Sequence, residues 1–275
     1  MSAVASRSAE RIGERGARRD LDHAGDPSAM VELPLRVRLP DGRTVEREVA
    51  AWRHRRLHLS LLHSATNGYV EIGQGSRAPG AKTWWGYRGE TSSFVPGGGM
   101  RGHESTWLTH ALDRVATAAG SWRTEVAVAP AARRSLSREE SAIGATRWLW
   151  LDIDRQTLPQ LAGLLRERPA HLRVDSAGSG GEHVYWMLDR PLPAAALDRW
   201  TGEIHHWTER ANRRLIRRVG GSDAACAVPD RLMRLSGTVN YEHGRHAGIV
   251  VADLALPPYR VRDLVGDLPD LDPAT

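Results

Sequence analysis

Hydrophobic and polar positions alternate early in the chain: Leu35, Val37 and Leu39 are interleaved with Arg36 and Arg38, and Asp41-Gly42 follows. A period of two marks a half-buried strand and Asp-Gly favours a tight turn, so a hairpin is predicted here. The next stretch, "RRLHLSLLHSA" (residues 55–65), is ambiguous between helix and strand, and "NGYVEIG" (67–73) reads as a short strand. Residues 73–102 are rich in Gly, Ser and Pro and read as a long loop. "STWLTHALDRVATAAG" is a helix with Ser105 as N-cap and Gly120 as stop. "TEVAVAP" is a strand, followed by the basic loop "AARRSLSREES".

From residue 147 the pattern predicts a strand ("RWLWLDID"), a helix ("TLPQLAGLLRER"), a strand ("HLRVD"), a glycine-rich turn ("SAGSGGE") and a strand ("HVYWML"). A long helix is expected over Ala194 to Val219, where Leu197, Trp200, Ile204, Trp207, Ala211 and Leu215 recur at helical spacing as a buried stripe. Its arginines (Arg199, Arg210, Arg213, Arg214, Arg217 and Arg218) occupy the rest of the helix. A segment "VPDRLMRLSGTVNYEH" and a short helix at Val261–Val265 close the chain. Mixed strands and helices mean an α+β or α/β domain.

The chain has 275 residues, 41% hydrophobic and 26% charged, which is ordinary globular composition. Residues 1–29 are small, charged and aperiodic and read as a disordered tail. One domain is expected over 30–260, with an N-terminal part (30–145) and a motif-bearing part (146–260), and a tail at 261–275. Cys226 is the only cysteine, which excludes an internal disulfide and paired-cysteine zinc sites and fits a reducing, cytoplasmic compartment. No apolar run is long enough to span a membrane, and the N-terminus lacks the apolar core of a secretory signal. The net charge is +5, and the basic residues are arginines except for Lys82. Guanidinium forks match phosphate oxygens, so a polyanionic partner is one reading and a compositional arginine bias the other.

The chemistry concentrates in three segments. In a strand over "RWLWLDID", alternation puts Asp152 and Asp154 on one side with Trp148 and Trp150, and Leu149, Leu151 and Ile153 on the other. Two carboxylates side by side repel, and a divalent cation relieves the repulsion; the alternative is an incidental pair of acids at a solvated strand end. In "DSAGSGGEHVYWML" the glycines let backbone N–H groups approach an anion, and His183 opens the next strand, with Tyr185 and Met187 on its face. A partly buried structural histidine is the competing reading. In "GGSDAACAVPDRLMRLSGTVN", Asp223 is positioned to complete a metal site, and Arg231 and Arg234 to take a triphosphate; singly, each is a surface charge.

In combination the three segments resemble the archaeo-eukaryotic primase (prim-pol) superfamily, and within it the phage- and plasmid-encoded RepB-type primases. The shared order is a hydrophobic strand ending in Asp-x-Asp, a small-residue turn ending in His, and a later Asp element. "SAGSGGEHVYW" and "RLMRLSGTVN" stand where that branch has "SG-x-G-x-H-x-YW" and "R-x-x-R-x-PGT-x-N". Ser236 replaces the usual proline, and the glycine turn is longer than typical. The likeness covers roughly residues 60–250. It implies an α+β fold, a prim-pol (RRM-like) core with an N-terminal α/β subdomain, and template-dependent nucleotidyl transfer. Asp152, Asp154 and Asp223 would hold two Mg²⁺ or Mn²⁺ ions on the end of a central strand. His183 would contact the triphosphate, and Arg231, Arg234 and Arg134 (with Arg133) would bind nucleotide phosphate or template. Lys82, Trp84, Trp85 and Tyr87 are candidates for stacking template bases. The implied partners are a single-stranded DNA template, NTPs or dNTPs, and a separate replicative helicase of a mobile element. Rival readings are an inactive prim-pol-fold module that binds single-stranded DNA, and a metal-dependent nuclease. A rolling-circle initiator would need a His-hydrophobic-His motif, and only His205-His206 is present.

Overall fold

A computed structural model describes residues 26–76, 88–98, 104–119, 124–137, 140–178, 180–197, 204–220 and 224–266. The predicted hairpin forms from β1 (Glu32–Arg38) and β2 (Thr44–Ala50), paired antiparallel around Asp41-Gly42. Gly42 takes φ +86, and Asp41 caps the turn by accepting from the Arg43 N–H at 3.0 Å. The ambiguous stretch is a helix, α1 (Ala51–His63). Its buried face is broad enough to take Leu57, Leu59 and Leu62 together with His54, His58 and His63. That breadth is why a strand-like alternation coexists with helical structure.

β3 (Tyr69–Ser76) pairs antiparallel with β4 (Arg88–Pro96), so part of the expected loop over 73–102 is a hairpin. β4 reads "RGETSSFVP", too polar to announce itself; cross-strand pairing to β3 selects it. Lys82, Trp84, Trp85 and Tyr87 lie outside the described residues. α2 (Glu104–Ala119) starts before Ser105, which is therefore inside the helix instead of capping it. β5 (Thr124–Val128) lies beside β3.

The motif-bearing part follows as β6 (Ala145–Ile153), α3 (Leu158–Glu167), β7 (Leu172–Asp175) and β8 (Glu182–Pro193). The long helix expected over 194–219 is a shorter α4 (Trp207–Val219), preceded by a two-stranded ribbon of β9 (Ala196–Leu197) and β10 (Ile204–His205). Trp207, Ala211 and Leu215 are buried as predicted, whereas Ile204 is 61% exposed. The 3.6-residue spacing continues into the ribbon by coincidence, and Trp200 and Arg199 of the expected helix lie outside the described residues. β11 (Met233–Arg234), β12 (Val239–Asn240), β13 (Arg245–His246), β14 (Gly248–Asp253) and α5 (Val261–Val265) complete the chain.

Two sheets carry the architecture, a mixed α+β one. The larger has the order β2-β1-β14-β7-β8-β6, antiparallel except for the β1–β14 pair. The smaller has the order β11-β5-β3-β4. Among the described strands β6 is thus an edge strand, not the central strand that the family resemblance implies. It is apolar because both its faces are buried. Trp148 and Trp150 enter a core shared with β3, β5, α1 and α2, while Leu149, Leu151 and Ile153 enter a second core under α3, α4 and α5. Its open edge is covered from α4: Asn212 Oδ1 accepts from the Trp150 N–H at 3.1 Å, and Asn212 Nδ2 donates to the Ala227 carbonyl at 3.2 Å.

The described chain begins inside the stretch expected as tail. Asp26 and Ala29 are buried, and the Asp26 carboxylate pairs with Arg55 of α1 at 2.5 Å, both side chains 1% exposed.

Candidate active site

The site is built at one end of the β6–β8 pair. Asp152 lies directly across from His183 in the antiparallel register, and Val174 of β7 flanks His183 on its other side. Alternation puts Asp152, Trp150 and Trp148 on the same face as His183, Tyr185 and Met187. The tryptophans and Tyr185 fill the core behind, so the polar pair is fixed at the rim of a rigid apolar wall.

The turn between β7 and β8 is held from within. The Ser176 N–H bonds the Gly181 carbonyl at 3.2 Å, and the Ala177 N–H bonds the Asp175 carboxylate at 2.7 Å. A side chain at Gly181 would put its Cβ 2.6 Å from the Ile153 carbonyl oxygen. Glycine is therefore what lets this turn lie against the end of β6, beside the carboxylates.

Asp152 has donors on several sides. The Cys226 Sγ–H donates to Oδ2 at 3.3 Å, His183 Nε2 is 3.6 Å from Oδ1, and an Arg231 guanidinium nitrogen is 3.7 Å from Oδ2. These groups offset the negative charge of a side chain that remains 27% exposed. Cys226 is placed by the Trp150 indole N–H, which donates to its carbonyl at 2.8 Å. Asp154 lies one residue past the strand and is exposed, with no side-chain capping bond; its carbonyl is held by the Thr157 N–H at 3.0 Å.

His183 is buried, and burial pushes its pKa below the usual value; Asp152 opposes that shift, and Arg234 and Arg231 add to it. The neutral imidazole is the favoured form at neutral pH. Tyr185, also buried, has its phenol pKa raised, first by burial and then by Asp152 and Cys226.

Arg234 reaches the same neighbourhood from β11 but is already paired: its guanidinium donates to Glu125 Oε2 at 2.7 Å, and Glu125 is fully buried on β5. The turn after it, Ser236-Gly237-Thr238, is clamped to α1. The Ser236 N–H donates to His58 Nδ1 at 3.1 Å, Ser236 Oγ to the His54 carbonyl at 2.9 Å, and Arg55 Nε to the Gly237 carbonyl at 2.8 Å. Gly237 takes φ +79, and a Cβ there would meet the Ala51 carbonyl oxygen at 2.1 Å, so no other residue fits.

The predicted residues divide accordingly. Asp152, His183 and Arg231 come together, with Arg234 beside them. Arg134 is exposed and donates to the carbonyls of Ser141 and Ile143 in its own loop. Arg133 is sealed in a buried ion pair with Glu71. Asp223 lies outside the described residues, and among the described residues no group of three His, Cys, Asp or Glu side chains is placed to hold a metal. Cys226, Glu125 and His58 carry no sequence signal for this site and are brought to it only by the folded chain, whereas Tyr185 is legible from its alternation with His183.

The fold is shared with a known class of catalytic domain. The AEP domain of the primase-polymerase of cyanophage S-2L superposes with a TM-score of 0.51 at 17% identity, covering 77% of this chain and 95% of that one. That likeness defines the fold as the prim-pol one, in line with the motifs. The catalytic domain of primase RepB′, solved in complex with initiator DNA, aligns with a TM-score of 0.47 at 11% identity over 78% of this chain and 91% of that one. No protein-family profile and no curated protein sequence matches the chain.

Proposed function

We propose that the chain is a template-dependent nucleotidyltransferase, a DNA primase or primase-polymerase, whose chemistry is centred on Asp152. The observation that carries this reading is the pairing of Asp152 with His183 at the open rim of a buried sheet, beside Arg231 and Arg234, on a prim-pol fold.

The donors suit a hard divalent cation. Asp152 is partly exposed and Asp154 is exposed, and both offer oxygen only, which fits Mg²⁺ or Mn²⁺ retaining part of its water shell. Asp152, Asp154 and Asp223 would hold two such ions, which when bound lower the pKa of the attacking hydroxyl and neutralise charge on the leaving pyrophosphate. The protein's own groups do the positioning. His183, neutral and fixed, donates to a nucleotide phosphate, and Arg231 adds a charge on the same side. Arg234, with Arg134 further out, supplies positive field for phosphate or template. The partners are single-stranded DNA and NTPs or dNTPs, in the replication of a phage, plasmid or other mobile element with a separate helicase.

The test is incubation with single-stranded DNA, Mg²⁺ or Mn²⁺ and labelled nucleotides, with products sized on a gel. Wild type extends or initiates chains. Asp152→Ala combined with Asp154→Ala incorporates nothing, keeps its circular dichroism spectrum, and binds DNA only slightly more weakly because arginines hold the template. A wild type that binds DNA as the double variant does, yet synthesises nothing with either metal, identifies a binding module; degraded template identifies a nuclease.

A further inference from the structure

Behind the Asp152–His183 pair lies a set of buried polar atoms that the proposed reaction does not use. His183 Nδ1, the Tyr185 hydroxyl and His58 Nε2 are all buried, and none has a hydrogen-bond partner among the described residues. The three side chains are neighbours. His183 and Tyr185 share a face of β8, two residues apart. The His58 ring meets the Tyr185 ring edge-on with centroids 5.5 Å apart. His183 also bears electrostatically on His58.

One tautomer is fixed by geometry. A backbone N–H can only donate, so the Ser236 N–H at 3.1 Å makes His58 Nδ1 an acceptor. Burial pushes the His58 pKa down to about 3, so the ring is neutral and carries its proton on Nε2. His58 therefore carries a buried N–H donor on the ring that packs against Tyr185. Tyr185, its phenol pKa raised by burial, keeps its hydroxyl proton. A buried donor without an acceptor costs about 1–3 kcal/mol. Protonating His183 on Nδ1 would add a third donor to this space, whereas leaving Nδ1 bare supplies the missing acceptor.

We propose that His58 and Tyr185 are positioning residues that hold His183 as its Nε2–H tautomer. The donors then run in one direction: Ser236 N–H to His58 Nδ1, His58 Nε2–H to the Tyr185 oxygen, Tyr185 O–H to His183 Nδ1, each of the last two steps direct or through one buried water. At the end of the relay, a neutral His183 presents Nε2–H beside Asp152. This sets the ligand contact without any charge on the ring. The relay begins at the Ser236 N–H, a donor that proline, the residue at this position in the signature that the segment resembles, does not supply. The tautomer assignment stands on the buried geometry; its use for a nucleotide phosphate rests on the nucleotidyltransferase reading.

Heteronuclear NMR of protein labelled at the histidine ring nitrogens distinguishes the two tautomers by their two-bond couplings, with the His183 signals assigned by His183→Gln. In wild type the proton is on Nε2. In Tyr185→Phe, which removes one oxygen, and in His58→Leu, His183 becomes a mixture; His58→Gln, which keeps an acceptor and a donor, returns it toward Nε2–H. In the synthesis assay Tyr185→Phe raises the nucleotide KM about tenfold, the cost of a weakened hydrogen bond to a charged group, and leaves the template KM unchanged. A wild-type His183 protonated on Nδ1, or a tautomer unchanged in both Tyr185→Phe and His58→Leu, overturns the proposal. The NMR measurement needs no turnover. An inactive wild type with His183 on Nε2–H therefore sinks the nucleotidyltransferase reading alone, and an active one with the proton on Nδ1 sinks this proposal alone.

Discussion

Arg234 shows how much a single side chain's role depends on its partner. In sequence it is one of a pair of arginines spaced for phosphate; in the fold its guanidinium neutralises the fully buried Glu125, which also accepts from the Tyr241 N–H at 3.0 Å. Removing one partner of such a pair leaves an uncompensated buried charge, at a cost of about 3–5 kcal/mol. Arg234→Ala is therefore expected to lower the denaturant midpoint strongly, whereas Arg217→Ala on the exposed face of α4 changes it by less than about 0.5 kcal/mol. Equal midpoints for the two variants would mean that the Glu125 pair contributes nothing to the fold. Arg234 would retain a role at the site through its field, which already bears on His183.

At the scale of elements, β6 is held by groups outside its own sheet. Among the described strands β6 pairs with β8 alone, and Asn212 from α4 closes its other edge while binding the Ala227 carbonyl beside Cys226. Asn212→Ala leaves a buried N–H and a buried carbonyl without partners, an expected loss of roughly 2–4 kcal/mol in chemical denaturation. Asn212→Asp keeps the acceptor for the Trp150 N–H and is expected to lose less, provided the pH is low enough to protonate it. If Ala and Asp variants unfold together with wild type, the edge of β6 is sealed by packing alone. Helix α1 does comparable work on the other side: His54 accepts from the Ile249 N–H at 3.0 Å and Arg55 ties Asp26 to Gly237, so one helix joins the first described residues, the larger sheet and the turn after Arg234.

For the whole molecule the buried histidines set the response to acid. Burial lowers the pKa of His54, His63 and His171 to about 4 and of His58 to about 3. The unfolded chain takes up these protons near the ordinary value of about 6.5, while the folded chain refuses them until far lower pH. Their contribution is fully present above about 6.5 and is lost as pH falls from there toward 4, each group accounting for up to ~3 kcal/mol. Thermal melts at descending pH are expected to show the midpoint dropping steeply below about pH 6 and the fold lost before pH 4. A midpoint flat across that window would mean that the histidines are solvated in the folded state.

The sequence by itself determined the parts written in short-range pattern: the β1–β2 hairpin, α3, the β7–β8 turn, α5, and the motif order that points to a prim-pol fold. These depend on periodicity and turn chemistry within a few residues. The tertiary structure alone decided that β6 is an edge strand, since a strand buried on both faces reads the same wherever it lies in the sheet. It also decided that β4 forms despite its polar sequence, that helix gives way to a ribbon before Trp207, and that Arg133 serves Glu71. Above all it brought Cys226 and His58 to Asp152, His183 and Tyr185. Long-range contacts of that kind leave no periodic trace, because each joins residues whose spacing along the chain is set by the fold and not by any local repeat.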